Sequence, residues 1–245
     1  MSPRVTWATA RRVLAQLRRD PRTLALLVVV PCLLLTLLRY AFDGQPETFD
    51  RIGAPMVGIF PLILMFLITS ITMLRERTTG TLERLMTMPL SKLDLLAGYG
   101  IAFALVAAVQ ASIVAAFSLG LLGLDVAGSG IAVVLLAIAN ALLGMSLGLF
   151  TSAFARTEFQ AVQFMPAFLF PQLLLCGLFV PRDQMAPLLE AISWALPMTY
   201  AYDALERVTT EGSLGAGGAV DVAVLLGVTV LSLAAGAWTL QRRTP

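Results

Sequence analysis

Asp203 and Glu206 form the one acidic cluster whose spacing suits general acid–base work. On a helix, residues three apart share a face, and Arg207 stands four after Asp203 as an ion-pair partner. Surface pairing of Asp203 with Arg207 is therefore the expectation for this cluster. The sequence contains no histidine, which removes a zinc H-E-x-x-H site, a Ser-His pair and the usual proton shuttle. Cys32 and Cys176 both lie inside apolar runs, where a cysteine is a small buried hydrophobe and implies no disulfide framework. No G-x-x-x-x-G-K-[ST] occurs, and Lys92, the single lysine, is not in a glycine-rich loop. This chain cannot cradle nucleotide phosphates in the P-loop manner.

The remaining chemistry-bearing stretch is residues 74–92, LRERTTGTLERLMTMPLSK, charged and helix-forming between two apolar runs. Gly80 is expected to end one helix. From Thr81 the apolar Leu82, Leu85 and Met86 recur at helical spacing, with Glu83, Arg84 and Thr87 opposite. Pro89 stops this short helix. Ser91 caps the next, with Asp94 as its partner three residues on. A helix of this kind either lies on lipid headgroups or fits a groove of a cytosolic protein.

The elements around these residues are apolar. Of 245 residues 58% are hydrophobic and 13% charged, with a mean hydropathy of +0.85, against about a quarter charged in a soluble domain. The expected fold is an all-α polytopic membrane protein, one transmembrane domain over 1–245 with six spans of roughly 20 residues or more. The spans are placed at 24–42, 52–74, 95–122, 131–155, 159–180 and 222–240. Residues 4–22 precede them as an interfacial helix, with six arginines and an apolar face of Trp7, Ala10, Val13, Leu14 and Leu17, ended by Asp20-Pro21. No small-residue cleavage site follows, so this segment is expected to be retained. Arg39 is expected to snorkel from the first span. The third exceeds the hydrocarbon thickness and is expected to protrude or tilt. Gly144 and Gly148 in the fourth form a small-xxx-small packing motif. Pro166 and Pro171 weaken the fifth, which makes it the leading candidate to line a pathway. Residues 183–207 are cut by Pro187 and Pro197 into two pieces too short to span, read as a re-entrant outer hairpin with Trp194, Tyr200 and Tyr202 near the aromatic belt. A glycine-rich outer loop leads to the last span.

With both termini inside, 13 of the 17 Lys and Arg residues and 5 of the 15 Asp and Glu residues fall in cytosolic segments. The positive-inside rule favours that topology. Gln110, Asn140, Gln163 and Gln172 are the strongly polar uncharged side chains within the spans, suited to interhelical packing or to substrate contact.

Several fragments carry a family resemblance: Asp20-Pro21-Arg22, Arg75-Glu76-Arg77 with Gly80-Thr81-Leu82-Glu83, Met88-Pro89-Leu90-Ser91, Leu178-Phe179-Val180-Pro181, and Leu196-Pro197-Met198-Thr199-Tyr200. In their order relative to six spans, the chain resembles the membrane subunit of an ATP-binding cassette (ABC) transporter of the type-2 exporter family, similar to bacterial daunorubicin-resistance permeases. The resemblance implies a bacterial cell membrane and a connecting helix at the amino terminus. It implies a coupling helix at 81–88, with Thr81, Leu82, Glu83, Arg84, Leu85, Met86 and Met88 meeting an ATPase subunit. It also implies a second permease copy or paralogue, and a pathway lined mainly by the first, second and fifth helices, where Thr69, Gln163, Pro166, Phe170 and Gln172 are candidate lining residues. The cargo would be hydrophobic or amphipathic: a drug, an antibiotic or a lipid-like molecule. The chain would carry no catalytic residue, cofactor or metal of its own and bind no nucleic acid; ATP and Mg would sit on a dimeric ATPase. This chain lacks the large extracellular domain of some relatives and a fused nucleotide-binding domain. An ion-coupled transporter usually needs an acid or histidine within a span, and none of the six carries one. An ATP-independent transporter and a structural or regulatory membrane subunit remain the alternatives.

Overall fold

The computed structural model describes residues 3–81 and 92–239. Leu82, Glu83, Arg84, Leu85, Met86 and Met88, the Pro89 stop and the Ser91 cap lie outside the described residues, as do the tail arginines Arg242 and Arg243. Among the described residues the fold is helical, and the long helices are labelled in chain order: α1 (Pro3–Arg18), α2 (Pro21–Ala41), α3 (Pro46–Thr78), α4 (Lys92–Gly120), α5 (Gly130–Thr151), α6 (Glu158–Leu175), α7 (Pro187–Ser193), α8 (Pro197–Thr210) and α9 (Gly215–Thr239). A short 3-10 turn, Arg182–Gln184, precedes α7. Five segments are long and apolar enough to cross a bilayer: α2, α3, Ala97–Gly120 of α4, α5 and α9. The 18 residues of α6 include Glu158 and three glutamines as well as Pro166 and Pro171.

Helix α3 is the axis of the molecule. Its 33 residues, about 50 Å at 1.5 Å per residue, continue through Pro55 and Pro61 and overrun the expected 52–74 at both ends. Thr79 caps it and Gly80 turns the chain at φ +70°, where the sequence asked for a break. Helix α5 lies directly against it. A Cβ on Gly144 would sit 2.0 Å from the Leu62 carbonyl oxygen, and one on Gly148 2.3 Å from that of Phe66. The two glycines thus let the backbones touch.

At the other edge α1 packs on the first turns of α4. Gly98 makes room, since a Cβ there would lie 2.5 Å from Thr9 Cβ. Ala10, Val13 and Leu17 are buried in this contact, whereas Trp7 is 61% exposed. The apolar face expected on lipid is covered largely by protein, because α4 extends five residues before its apolar segment and offers α1 a wall.

Three other expectations need correction. Helix α6 is unbroken: Pro166 and Pro171 are both inside it, and unwinding comes later, at Cys176 and Gly177, whose φ is +107°. A proline removes one N–H, and a helix packed among neighbours tolerates that loss. The glycine-rich segment after Gly215 is not a loop but the first turns of α9. There α8 packs alongside, and the Arg207 guanidinium fills the space where Gly217 has no side chain. Arg207 does not pair with Asp203. It turns to Asp221 of α9 at 3.1 Å and, loosely, to Glu211 at 3.9 Å.

Candidate functional site

Asp20 ends the first helix and starts the second. Its carboxylate accepts from the Thr23 backbone N–H at 3.2 Å and from the Thr23 hydroxyl at 2.6 Å, and Pro21 occupies the first turn of α2. These hydrogen bonds hold the carboxyl below its ordinary range. The corner so formed brings α1 against the last turns of α3. Position 76 lies on the stripe of α3 that carries Thr69 and Met73, so Glu76 is directed inward and its side chain is only 7% exposed.

A buried carboxylate needs partners, and α1 supplies them. Arg12 donates to Glu76 Oε2 at 3.4 and 3.5 Å, and Gln16 Nε2 donates to Glu76 Oε1 at 3.2 Å. Arg12 also donates to the Tyr99 hydroxyl of α4, with its guanidinium 5.6 Å from the ring centroid. One cluster therefore joins α1, α3 and α4 at the point where α3 hands over to the charged stretch. Arg75, the next residue back, faces outward and pairs with Glu158 in the first turn of α6 at 2.7 and 3.1 Å. Between these two ion pairs opens a crevice of about 420 Å³, its walls including Leu17, Asp20, Ile71, Arg75, Glu76 and Thr81. Thr81 is the one expected coupling residue among those described.

The four amides that the sequence reading placed in spans divide. Gln110 Nε2 donates to the Leu27 carbonyl at 3.0 Å and ties α4 to α2. Asn140 Nδ2 donates to the Ala201 carbonyl at 3.4 Å, while Gln172 Oε1 accepts from the Met198 backbone N–H at 3.4 Å. Two amides thereby grip α8 from α5 and α6. Thr69 is fully buried, its hydroxyl shared among the carbonyls of Met65, Phe66 and, across on α5, Met145. Thr69 and Gln172 are thus held within the packed bundle. Gln163 and Phe170 lie instead on the open side of α6, with Phe159 and Leu174 in the same stripe and Pro166 half-buried beside them.

At the far end, Pro187 and Pro197 occupy the first turns of α7 and α8, which produces the two short pieces expected there. Arg182 grips Asp203 in a fork, Nη1 to Oδ1 and Nη2 to Oδ2, both at 2.8 Å, and its guanidinium lies 4.5 Å over the Trp194 ring. Tyr200 donates to the Trp194 carbonyl and Thr199 to the Ser193 carbonyl, each at 2.7 Å. Burial pushes the Asp203 carboxyl upward, opposed by Arg182. Glu206 accepts from the Tyr202 hydroxyl at 3.0 Å. Asp203 and Glu206 are therefore each engaged by a structural partner, and a cavity of about 330 Å³ beside them is lined by Arg51, Glu190 and Trp194 among others. Among the described residues no group of three or more Cys, Asp or Glu side chains is placed to hold a metal ion.

Sequence reasoning took Glu76 only as part of a motif and missed Arg12, Gln16 and Tyr99 as its partners. The available sign was Glu76 itself, an acid in phase with Thr69 and Met73 on the inward stripe.

The sequence model for the ABC-2 type transporter family matches residues 4–208. The chain is 28% identical over 156 residues to the probable multidrug ABC transporter permease YbhR of Escherichia coli K12, covering 62% of this chain and 42% of that protein. It is 24% identical over 200 residues to the probable multidrug ABC transporter permease YbhS of the same organism, covering 81% and 51%. To the linearmycin resistance permease protein LnrN of Bacillus subtilis strain 168 it is 25% identical over 213 residues, covering 85% and 54%. The chain spans about half the length of the curated relatives it matches.

Proposed function

The chain belongs to the ABC-2 type transporter family, and on that premise we propose that it is the permease subunit of an ATP-driven exporter in a bacterial cell membrane. With a second permease copy or paralogue it forms a pathway for a hydrophobic or amphipathic substrate. A separate cytosolic ATPase dimer supplies ATP and Mg chemistry. In this reading α6 is the fifth of six spans, both termini are cytosolic, and α7 and α8 form the outer hairpin. The arginine-rich α1 end supports that orientation, and 18 residues give α6 about 27 Å, near the hydrocarbon thickness.

The observation that carries the reading is α3. It runs without interruption from the hairpin end, where it packs on α8, to the charged stretch, where Glu76 is held by α1. A displacement applied at 81–88 is delivered to the Glu76 cluster at one end and to the mouth of the hairpin at the other. The proposed coupling residues are Thr81, Leu82, Glu83, Arg84, Leu85, Met86 and Met88. The proposed pathway face is the open stripe of α6 with Gln163, Pro166 and Phe170. Gln163 is a polar side chain on an otherwise apolar face, an arrangement that in a membrane marks a contact with something other than lipid. The reported relatives are named as multidrug or linearmycin resistance permeases, which supports a drug-like cargo.

The test is co-expression with a cognate ATPase. The permease alone should hydrolyse no ATP, and the complex should show substrate-stimulated hydrolysis. Leu85→Asp should insert normally but lose the ATPase on purification and lose transport. Unchanged ATPase stoichiometry together with unchanged transport in that variant would refute the coupling assignment.

A further inference from the structure

The cavity of about 330 Å³ at the hairpin end takes no part in the proposed stroke. Its walls come from α3, from the unwound segment after α6, and from α7 and α8. Most of its polar groups are already matched. Arg182 and Asp203 are forked together beside Trp194, and Glu206 accepts from Tyr202. Three charges are left over. Asp183 stands exposed at the rim, while Arg51 of α3 is exposed and Glu190 of α7 half-buried. Among the described residues neither Arg51 nor Glu190 makes an ion pair or a side-chain hydrogen bond. A cation and an anion that face one cavity without reaching each other are complementary to a ligand that carries both charges. The volume lies near the lower end of ligand pockets, roughly 300 to 1,000 Å³.

The position of this cavity narrows the choice. Arg51 is the last charge before residues 52–74, an uncharged run within the candidate span α3. It therefore stands where headgroups begin. Phe179 and Val180, just before Pro181 in the cavity wall, are exposed, and so are Leu188, Leu189 and Ile192 of α7 on either side of Glu190. Exposed apolar residues beside a charged cavity at this level suit a molecule whose chains stay in the bilayer.

We propose that this cavity binds the headgroup of a zwitterionic aminophospholipid, with its phosphate at Arg51, its primary ammonium at Glu190 and its chains along Phe179, Val180 and Ile192. A primary ammonium donates hydrogen bonds to a carboxylate and a trimethylammonium has none to donate. One face of Trp194, which could otherwise hold a choline, is covered by Arg182 at 4.5 Å. The bound headgroup joins α7 to the start of α3. The site rests on the membrane placement of α3, and its test involves neither an ATPase nor transport, so failure of the exporter reading leaves it standing.

The full chain is reconstituted in nanodiscs of phosphatidylethanolamine, phosphatidylcholine and phosphatidylglycerol in equal parts. Lipids retained after extraction into mild detergent are counted by native mass spectrometry. The wild type should retain phosphatidylethanolamine over both others. Glu190→Gln should lose about tenfold of the preference for phosphatidylethanolamine over phosphatidylcholine, because the ammonium contact goes and the phosphate contact stays. Arg51→Gln should weaken phosphatidylethanolamine retention by about the same factor and leave that ratio unchanged. Unchanged retention in both variants overturns the proposal, as does an equal loss of all three lipids. Soluble glycerophosphoethanolamine that displaces phosphatidylethanolamine as well as a short-chain form of that lipid does would make the occupant a free zwitterion and overturn the lipid assignment. Should either variant fail to fold, Trp194 decides. In the Trp7→Phe, Trp238→Phe chain it is the one tryptophan left of three. Short-chain phosphatidylethanolamine should shift its emission saturably and short-chain phosphatidylglycerol should not, and an equal response to the two overturns the proposal.

Discussion

Both ends of the bundle are fastened by an arginine and a carboxylate, yet the two fastenings are built to different rules. At the hairpin end Arg182 and Asp203 meet fork to fork at 2.8 Å, stacked on Trp194, with side chains 17% and 5% exposed. At the α1 end Arg12 reaches one oxygen of Glu76 at 3.4 Å, is 30% exposed, and shares itself with Tyr99 while Gln16 takes the other oxygen. The first arrangement has one good geometry. The second spreads two donor side chains, Arg12 and Gln16, over the two oxygens of one carboxylate, so no single bond carries the contact. A joint beside the proposed coupling stretch requires a contact that tolerates adjustment, whereas a clasp that holds the α7–α8 hairpin in place requires the opposite.

The contrast can be broken most severely at the hairpin. Asp203→Ala leaves a largely buried guanidinium unpaired, and a buried pair that loses one partner typically costs about 3 kcal/mol. Thermal unfolding of the purified chain should drop accordingly, with Trp194 emission shifting as its stacked cation is released. Glu76→Gln is the matched change at the other end. It retains one acceptor oxygen, for Arg12 or for Gln16 but not both, and removes the charge, and about 1 to 2 kcal/mol should be lost. If Glu76→Gln costs as much as Asp203→Ala, the idea of a tolerant joint is wrong. Arg75→Ala sharpens the comparison from below. Its bond to Glu158 joins side chains 59% and 52% exposed, so less than about 1 kcal/mol is at stake, screened further by salt. The smallest effect concerns Asp20. Its carboxyl is held below the ordinary value by Thr23, so the cap is fully formed above the unfolded carboxylate range. It is lost only as pH falls through the lowered folded value. Acid titration of Asp20 by NMR should show that ordering, and a value at or above that of a free aspartate would contradict the cap.

What was legible in the sequence follows from what periodicity and special residues encode. Gly80 and the prolines at 187 and 197 marked helix ends correctly because each acts through its own backbone. The glycines at 144 and 148 marked a close contact for the same reason. The expectations that needed correction concern which surface meets which. Periodicity shows that α1 has an apolar face but not that α4 extends far enough to cover it. The i to i+4 spacing offered Asp203 to Arg207, but α9 presents Asp221 and the 3-10 turn presents Arg182, and both offers are tertiary. The glycines from 215 onward looked like a loop because their propensity is poor, and packing against α8 outweighs that. Within the candidate site, polarity alone could not sort the four glutamines and asparagines. Only the fold separates Gln163 on the open face of α6 from the three amides bonded to the backbones of neighbouring helices.

The contact at Gly144 and Gly148 has a kinematic consequence. Two helices whose main chains touch at two points one helical turn apart cannot slide past or rotate about each other without a glycine leaving its socket, so α3 and α5 form a single strut. Any stroke that works this molecule must then be divided between that strut and the helices docked loosely to it. Helices α2 and α6 bury only narrow stripes and are joined to the rest by a few side-chain bonds, so displacement would fall on them before it fell on the strut. In the exporter proposed above, the α3–α5 pair would then serve as a frame of fixed length.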